Sequence, residues 1–410
     1  MRPPKNWLLH KRLDLVLARA GVPSLMSHSI EIRTVETAAD WKAFYRVKCD
    51  LYRDDPAAVI PLRKMEYALL DDQKHPFYQH AQRQAFLAVR DGRPIGRIVA
   101  IKDDMHNEHY SDRVGFFGFF ESPHDDEVAG ALLDAAKAWL LERGLNIMRG
   151  PVNPSMKSEF GVLVEGNEYP PFVMMGHTPR YYASLLEAYG LSVVRRFFAF
   201  ILDSRKAVAD GEVRLKKMRK VTDRITKRIS NVRIEQATQA NIEQVMREIN
   251  VLGNEVRSEG WGFVPLTEAE LDFMVSQVKR IVDPKTVFLA YINDELAAYN
   301  VAIPDINWAV RRAKGPDWLR MPQLLFWISR IPRVRAIALG AAKKFRHTGI
   351  ASLICRELTE QMSMYDEWEF SWIIEENLLS MAAMNRCVPT TRYKIYHLYE
   401  APISAATHSP

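Results

Sequence analysis

The sequence predicts an α/β (α+β) protein of two tandem domains, each with a mixed, mostly antiparallel central sheet flanked by helices. Two observations support this prediction. At 410 residues the chain is longer than a typical single domain. One series of patterns (strand, helix, hairpin, strand, helix) also occurs twice, about 200 residues apart. We expect an amphipathic helix over residues 1–29, a first domain over 30–204, a basic linker over 205–230 and a second domain over 231–410.

The first repeat begins with an alternating pattern at residues 30–35 that is typical of a half-buried strand, and a helix follows from Thr37. Two apolar runs, residues 84–89 and 94–101, then flank Asp91-Gly92. Asp-Gly favours the tight turn of a β-hairpin, so these runs are predicted to pair as neighbouring strands.

An apolar run at residues 114–121, VGFFGFFE, predicts the next strand of this sheet. A helix is predicted from about Asp125 to Arg143, where Gly144 follows it. The loop between them, residues 121–126, is acidic and lacks glycine. Because anions are held by free backbone N–H groups and positive charge, this loop is poorly suited to a pyrophosphate.

The second repeat begins with an alternating run at residues 232–237 that mirrors the first. Two apolar runs, 286–291 and 296–303, flank Asn293-Asp294 and predict the same hairpin. Between the repeats, residues 205–228 carry ten basic and three acidic residues. Such a run is either the solvated face of a helix or a docking surface for an acidic partner.

The stretch from Arg335 to Leu358 has a pattern suited to binding phosphate. Residues 336–339 form an apolar run typical of a buried strand, and an amphipathic helix opens at Ile350. Gly349 at the start of this helix would let a ligand approach the backbone, where free N–H groups and the helix dipole attract an anion. Three cations add positive charge nearby: Lys343, Lys344 and Arg346. These features suit a pyrophosphate.

The spacing R-x-x-G-x-A at residues 346–351 resembles the coenzyme A loop of the GNAT acyltransferase superfamily. A predicted strand at 369–374 and a helix from Asn377 to about Arg386 follow it, in the order of a GNAT core. The resemblance implies acyl-CoA as co-substrate, no permanently bound cofactor, and two strands that splay around the pantetheine arm. The residues implied to hold acyl-CoA are Leu339, Gly340, Arg346, His347, Thr348, Gly349, Ile350, Ala351, Asn377 and Ser380.

Nine short segments carry a narrower resemblance. They are DP at 55–56, PF at 76–77, GRI at 96–98, GFFGFFE at 115–121, GPVN at 150–153, EFGVLVEG at 159–166, PRYY at 179–182, WGFVP at 261–265 and PDIN at 304–307. Together they resemble a bacterial double-GNAT family whose members include bacterial ceramide synthases. The resemblance implies acyl-CoA-dependent N-acylation of a sphingoid base, such as 3-oxosphinganine or sphinganine. The first domain would then build the acceptor side.

The segment from Gly150 to Tyr182 is rich in Pro, Gly, Asn and Glu and has few helix signals. Long ordered loops are commonly functional. Apolar neighbours beside Glu159 would raise the pKa of its carboxyl group toward that of a working base. The catalytic candidates are Glu121, Glu159, Tyr181 and His177. Each also has a structural interpretation: a glutamate that caps a turn, a histidine satisfied in a core, or a tyrosine packed between domains.

Membership of the GNAT superfamily implies direct acyl transfer. A base takes a proton from the ammonium, the amine attacks the thioester carbonyl, and a backbone N–H near Leu339 or Gly340 stabilises the oxyanion. The acid that protonates the thiolate is often a tyrosine in this superfamily, but the helix predicted from Asn377 contains none. Tyr393 and Tyr396 lie on a later predicted strand, so the identity of the acid stays open.

Composition excludes several other classes of protein. With 48% apolar and 26% charged residues the chain is typical of a globular domain, and no apolar run approaches the roughly 18 residues of a membrane span. The N-terminus lacks the apolar core of a secretory signal. Three cysteines without CxxC spacing or histidine neighbours predict a reducing, cytoplasmic location and no metal site. Basic residues are not interleaved with stacking aromatics, which argues against nucleic acid as a partner.

Three segments bear on a membrane partner: the N-terminal helix, the basic linker, and residues 318–332, which mix large apolar side chains with arginine. The last suits an acyl-chain channel or a membrane-facing lid, and a buried core helix is the alternative. Together they favour a long-chain lipid acceptor and peripheral contact with the inner membrane. Two other functions remain open: N-acylation of another amine, such as an amino acid or a peptide N-terminus, and non-catalytic binding of CoA or lipid.

Overall fold

The computed structural model describes residues 29–377 and 389–404. For residues 206–214 it describes the backbone but not the side chains. Its strands are β1 Glu31–Thr34, β2 Ala81–Arg90, β3 Arg93–Asp103, β4 Val114–Glu121, β5 Ile147–Gly150, β6 Val152–Asn153, β7 Glu159–Phe160, β8 Val162–Glu165, β9 Ser192–Asp203, β10 Val232–Gln236, β11 Val287–Ile292, β12 Glu295–Pro304, β13 Arg333–Ala341, β14 Glu367–Ile374 and β15 Thr391–Pro402. The predicted N-terminal helix and the helix predicted from Asn377 to Arg386 lie outside the described residues, except at their ends.

Helices flank the strands on both sides of the main sheet. The α-helices are α1 Ala38–Leu51, α2 Arg63–Leu70, α3 Asp104–Tyr110, α4 Asp126–Glu142, α5 Tyr182–Ala188, α6 Ser204–Arg228, α7 Ile242–Arg257, α8 Glu268–Ile281, α9 Ile306–Arg312, α10 Asp317–Ile328 and α11 Ile350–Gln361. Short 3-10 turns occur at Pro76–Gln79, Pro284–Thr286, Lys343–Thr348, Met362–Met364 and Glu375–Asn377. None of the described helices combines the length and the apolar character needed to cross a lipid bilayer.

The main sheet has the strand order β1-β2-β3-β4-β5-β15-β9-β14-β13-β12-β11-β10, and β8 adds to β15. The first half, β1 to β5, and the second half, β10 to β14, run inward from opposite edges in the same pattern. The parallel pairs are β4 with β5 and β13 with β14, and the other pairs are antiparallel. The predicted class, with its mixed and mostly antiparallel sheet, is confirmed.

At the centre of the sheet each half receives the last strand of the other. β9, which precedes α6, pairs with β14 of the second half. β15, the last described strand, pairs with β5 of the first half. β9 and β15 also pair with each other along most of their length. The two halves therefore share one continuous sheet, an arrangement that the sequence repeats did not predict.

Both predicted hairpins form around the expected turns. Asp91 and Gly92 have φ values of 52° and 73°, and Asn293 and Asp294 have φ values of 50° and 64°. Positive φ at two successive residues is the requirement of a type I′ turn, which Asp, Asn and Gly meet at low cost. Local turn chemistry therefore sets the register of β2 with β3 and of β11 with β12.

Alternating strand residues supply a core on each face of the sheet. In β2, Phe86 packs under α4 and α5, whereas Leu87 packs under α1 and α2. The second half repeats this arrangement, with α6 and α11 on one face and α7 and α8 on the other. Large apolar side chains on both faces make the sheet the rigid support for the loops between its halves.

A cluster of four ionisable groups joins the first half to α8. His80 Nδ1 lies 3.0 Å from Asp103 Oδ1, and its Nε2 lies 3.5 Å from Glu270 Oε2. Lys157 Nζ, from the loop after β6, lies 3.1 Å from Glu270 Oε1. Burial alone would lower the pKa of His80, but the carboxylates of Asp103 and Glu270 outweigh it and raise that pKa to about 9. The cluster holds an imidazolium between two carboxylates at neutral pH.

We expect this cluster to make stability fall in mild alkali. Because folding raises the pKa of His80 from 6.5 to about 9, its stabilisation is complete below pH 6.5 and is lost as the pH approaches 9. In Glu270→Gln the thermal midpoint should be lower at pH 7 and should change less between pH 6.5 and 9. Circular dichroism melts across this range measure both effects, with Glu243→Gln, an exposed partner of Lys279, as control. Equal pH slopes in wild type and Glu270→Gln would contradict the expectation.

Candidate active site

A cavity of about 230 Å³ lies between the two halves of the molecule. Its walls come from α1, α2, the loop between β6 and α5, and the start of α9. The apolar lining includes Val59, Met65, Leu69, Met174, Met175 and Ile306. The polar lining includes Lys48, Tyr52, Glu66, Asn153, Glu159 and His177. Two of the four predicted catalytic residues, Glu159 and His177, therefore share one cavity.

His177 is held by an aspartate that the sequence did not single out as functional. Its Nε2 lies 2.7 Å from Asp55 Oδ2, and the imidazole is 5% exposed. The carboxylate of Asp55 also accepts a hydrogen bond from the backbone N–H of Ala57 at 2.8 Å. Because an ionised carboxylate only accepts, Nε2 must carry the hydrogen, and Nδ1 then carries the lone pair. Within the described chain this buried Nδ1 has no hydrogen-bond partner.

The surroundings of His177 favour the neutral imidazole. Burial lowers its pKa below the usual value, although the hydrogen bond to Asp55 acts in the opposite direction. The hydroxyl of Tyr52 donates to the backbone carbonyl of His177 at 3.0 Å, which fixes the position of the residue. A neutral, oriented imidazole with a free lone pair is the form required of a general base.

Glu159 is the second titratable group of the predicted set in the cavity wall. It lies in β7, opposite Asn153 of β6. Burial raises the pKa of its carboxyl group, whereas the charge of Lys48 and a hydrogen bond with Asn153 lower it. Burial thus shifts the pKa values of Glu159 and His177 toward each other, by raising that of the carboxyl group and lowering that of the imidazole.

Glu121 is bound into an ion network behind the cavity wall. Arg97, which is fully buried, lies 2.7 Å from Glu66 Oε1 and 3.5 Å from Glu121 Oε1. The hydroxyl of Tyr182 donates to Glu121 Oε2 at 2.7 Å. Lys48, which does line the cavity, lies 3.8 Å from the same carboxylate. The structure thus places Glu121 behind Lys48, among partners that occupy both of its oxygens.

Tyr181 is not among the residues that line the cavity. Its ring stacks on His124, with 4.7 Å between the ring centroids, and its hydroxyl donates to the carbonyl of Ser122 at 3.0 Å. The ring also packs against the core under α4 and α5. Tyr181 thus packs within the first half of the molecule, and these contacts do not lie between the two halves.

The predicted phosphate loop lies at the N-terminus of α11. Gly349 has a φ of 86° and is the N-cap residue, where it offers no side chain to the first turn. A Cβ added at Gly349 would lie 2.9 Å from Ile225 Cδ1 in α6, so this position requires glycine for both conformation and space. The neighbouring Arg346 and His347 are exposed, and Thr348 bonds back to the loop. The start of α11 thus combines a glycine turn with nearby positive charge.

The corresponding helix of the first half, α4, has a different N-terminus. The carboxylate of Asp125 caps α4 by accepting from the backbone N–H groups of Glu127 and Val128 at 3.0 and 3.2 Å. Asp126 and Glu127 add negative charge in the first turn. A phosphate would therefore meet a carboxylate at α4 but a glycine at α11.

In the first half, the opening between β4 and β5 beyond the end of their parallel pairing is closed. Pairing of β4 with β5 ends at Phe116 and Arg149. Next to this point a Cβ on Gly118 would lie 1.6 Å from the carbonyl oxygen of Val152, and the side-chain oxygen of Asn153 accepts from the N–H of Phe119 at 2.6 Å. The GPVN segment itself fills the space that a pantetheine arm would need.

In the second half, pairing of β13 with β14 ends at Ala336 and Phe370. The register between β12 and β13 shifts at this level, which leaves Ile337 as a bulged residue. Leu339 and Gly340 follow in the part of β13 that pairs with β12 but no longer with β14, and Gly340 packs against Tyr299. The sequence analysis placed the oxyanion donor near these two residues and did not single out Ile337, which no local pattern marks.

The opening between β13 and β14 adjoins the cavity. Val173 and Met174 line the cavity and belong to one apolar cluster with Ile337 and Ala338. On the other strand the ring of Trp372 lies 4.5 Å from that of Phe160, the residue after Glu159. The structure thus brings the predicted cofactor strand close to the predicted catalytic residues Glu159 and His177. Asn377 ends the turn after β14, and Ser380 lies outside the described residues.

A second group of buried charges supports the loop that carries His177. Arg335 lies 3.0 Å from Glu369 and donates to the carbonyl of Val173 at 2.6 Å. The hydroxyl of Tyr396 donates to the carbonyl of Gly176, directly before His177. Lys394 donates to the carbonyl of Tyr169 at 2.7 Å. Tyr396 was considered above in connection with the acid that protonates the thiolate. In the structure its hydroxyl holds the loop that carries His177.

Comparison with known proteins defines first the class and then the family. Two solved structures share the fold: a tandem GNAT protein from the clavulanic acid biosynthesis pathway (TM-score 0.50, 10% identity, covering 92% of this chain and 100% of that one) and a GCN5-related N-acetyltransferase from Sphaerobacter thermophilus (TM-score 0.51, 12% identity, covering 92% and 96%). The molecule therefore has the tandem GNAT fold. No family model matches the chain.

Two relatives are similar over nearly the whole chain. The bacterial ceramide synthase of Caulobacter vibrioides is 30% identical over 385 residues, 90% of this chain and 97% of that protein. Protein YghO of Escherichia coli K12 is 30% identical over 395 residues, 93% of this chain and 97% of that protein. The chain belongs to the family of GNAT N-acyltransferases that contains these two proteins.

Arg346→Ala should weaken the binding of a long-chain acyl-CoA about tenfold, since it removes a cation beside the glycine turn of α11. Isothermal titration calorimetry measures the change, with Arg233→Ala, an exposed arginine on β10, as the matched control. Gly349→Val should abolish binding, and circular dichroism reports whether the variant folds. Unchanged affinity in folded Arg346→Ala and Gly349→Val would reject this loop as the phosphate site.

Proposed function

We propose that this protein transfers a long-chain acyl group from acyl-CoA to the amine of a sphingoid base, such as 3-oxosphinganine or sphinganine. The observation that carries the proposal is the cavity between the halves. It combines an apolar wall with a buried, neutral imidazole whose Nδ1 has no described partner. An apolar wall suits the hydrocarbon chain of a long-chain amine, and a free imidazole lone pair suits its ammonium group. The similarity to a ceramide synthase supports this acceptor, and the equal similarity to YghO makes direct measurement essential.

In the proposed mechanism acyl-CoA binds with its pyrophosphate at Gly349 and its pantetheine arm between β13 and β14. The thioester then reaches the cavity past Ile337, where a backbone N–H on the β14 side of residues 337–340, beyond the end of the β13–β14 pairing, stabilises the oxyanion. Asp55 holds His177 with Nδ1 as the acceptor. That nitrogen takes a proton from the substrate ammonium, and the free amine attacks the thioester carbonyl.

The tetrahedral intermediate loses a second proton from its nitrogen as the carbon–sulfur bond breaks. Glu159 accepts this proton, because burial raises the pKa of its carboxyl group and so makes its carboxylate a stronger base. The leaving group is a thiolate, and a thiol with a pKa of about 8.5 needs little help from an acid. The proton held by His177 then neutralises the thiolate, and Glu159 releases its proton to the solvent, so both residues return to their starting forms. This route needs no tyrosine in the helix that the sequence predicts from Asn377.

The proposed reaction is tested with purified full-length protein, a long-chain acyl-CoA and either sphinganine or 3-oxosphinganine. We expect amide product by mass spectrometry in equal amount to the free thiol released. An amino acid, a peptide and a short alkylamine serve as competing acceptors. Amide formation with one of these, and none with a sphingoid base, would assign another acceptor. Thiol release without amide would indicate hydrolysis, and no thiol release with any amine would reject acyl transfer.

Replacement of His177 tests the assignment of the base. His177→Ala should lower kcat by about 10²–10⁴-fold, the usual contribution of a general base. His124→Ala is the matched control, because His124 is exposed and stacks on Tyr181 outside the cavity. Full activity in folded His177→Ala would remove this residue from the mechanism.

Replacement of Glu159 tests the second proton acceptor. Glu159→Gln should lower kcat, and full activity in the folded variant would exclude Glu159 from the mechanism.

The pH profile tests the pair formed by Asp55 and His177. Because the base must be deprotonated, kcat/KM should fall in acid with a pKa below 6.5, the usual value for histidine. The carboxylate of Asp55 raises the pKa of His177, so Asp55→Asn should move this acidic limb to lower pH while it reduces kcat. A profile identical in shape and height to that of the wild type would show that Asp55 does not act on His177.

A further inference from the structure

The outer face of α10 is apolar and exposed. Trp318 is 76% exposed and Leu325 is 69% exposed, and three further large side chains beside them are also exposed: Leu319, Met321 and Phe326. The other large apolar side chains that are exposed in the described chain are scattered singly over its surface. Single exposed apolar residues are ordinary, but five on one helix form a patch that calls for a partner.

The spacing on α10 shows that the patch is a helix face and not a frayed end. Arg320 and Leu324 are buried and form the inner stripe. The exposed positions 318, 321, 322 and 325 follow the i, i+3, i+4, i+7 pattern on the opposite side. A helix packed on one side normally carries charges on the other. Here the outer positions are Trp, Met, Pro and Leu, so the outer side of α10 is apolar.

Cations lie around this face. From Ile306 to Arg335 the chain has seven Lys or Arg residues and one acidic residue, Asp317. Arg320, Arg333 and Arg335 are paired with carboxylates. In the described part of the chain Arg312, Lys314 and Arg330 form no ion pair. Arg312 lies over the ring of Trp308 at 3.5 Å, and Arg330 lies over that of Phe326 at 3.9 Å. Their guanidinium groups donate to backbone carbonyls, at Trp308 and Phe326. Lys314 is exposed at the same edge. The apolar face therefore has a positive rim.

We propose that the outer face of α10 docks on the surface of an anionic lipid bilayer. Trp318, Met321, Leu325 and Phe326 would enter the boundary between headgroups and acyl chains. Arg312, Lys314 and Arg330 would contact lipid phosphates, to which each surface cation adds attraction. An apolar helix face with a cationic rim is the combination that peripheral membrane helices use.

Charge argues against two other occupants of this face. Residues 1–28 carry five Lys or Arg residues and one acidic residue, Asp14, so they would meet the positive rim with like charge. A second copy of the chain placed face to face would bring the two rims together in the same way. An anionic bilayer satisfies both the apolar face and the rim.

The inner side of α10 leads to the cavity. Leu324 packs in one cluster with Leu62, Val59 and Met65. Val59 and Met65 also form part of the cavity wall. A bilayer under α10 would thus lie next to the apolar wall of the cavity. Delivery of a membrane-dissolved amine by this route rests on the proposed function, whereas membrane docking itself does not.

Vesicle sedimentation tests the docking surface without any substrate. Full-length protein should sediment with phosphatidylglycerol-containing vesicles and less with phosphatidylcholine vesicles, and added salt should weaken the binding. The double variant Trp318→Ser, Leu325→Ser should bind about tenfold more weakly. Val251→Ser is the matched control, because Val251 is 72% exposed on α7, outside the patch. Arg312→Gln with Lys314→Gln should reduce the preference for the anionic vesicles.

Equal vesicle binding by the double variant and the wild type would overturn the proposal and would assign any binding to another part of the chain. Concentration-dependent association of the wild type in analytical ultracentrifugation, lost in the double variant, would identify a second copy as the occupant and would also overturn it. Thiol release with a short, water-soluble amine should be unchanged in the double variant. Vesicle binding and acyl transfer are thus separate readouts, so that failure of one is distinguishable from failure of the other.

Discussion

The exchange of β9 and β15 at the centre of the sheet is the constraint on which the rest of the structure depends. Each half alone would leave an unpaired strand, β5 or β14, with exposed backbone groups along its inner edge. The last strand of the other half satisfies that edge, and β9 and β15 pair with each other. The halves therefore cannot separate without breaking backbone ladders. Loops of the first half, among them the one that carries His177, are consequently held against β12, β13 and α9 of the second half, and the cavity lies along this junction.

The two halves of the sheet differ from each other at two corresponding positions. At the helix after the fourth strand, the first half has the carboxylate cap of Asp125, and the second has Gly349 without a side-chain cap. At the gap beside the parallel pair, the first half is filled by Val152 and Asn153. The first difference removes an anion site from the first half, and the second removes a channel from it. They support a division in which the second half holds acyl-CoA and the first half supplies acceptor-side groups.

Buried charge is concentrated around the cavity, where each charged group has a specific partner. Taking a charge out of water costs several kcal/mol, so unpaired charges are not tolerated in a core. Arg97 is matched by Glu66 and Glu121, and Arg335 by Glu369. These pairs fix the walls. His177 differs, because one ring nitrogen is committed to Asp55 and the other has no described partner. This unpartnered nitrogen, in a wall fixed by ion pairs, is the feature on which the proposed role of His177 rests.

The sequence by itself determined the elements whose causes are local. Period-two alternation predicted the strands, Asp91-Gly92 and Asn293-Asp294 predicted the hairpins, and the run at 114–121 matched β4 residue for residue. Gly349 and the acidic loop at Asp125 were equally legible, because capping and turn chemistry act within a few residues. Tertiary structure alone decided the strand exchange, the partnership of Asp55 with His177 across 122 residues, and the positions of Glu121 behind the cavity wall and Tyr181 outside it. The physical reason is that local patterns specify which residues form a strand or a turn, whereas the choice of partner depends on which chain segments the closed sheet brings together.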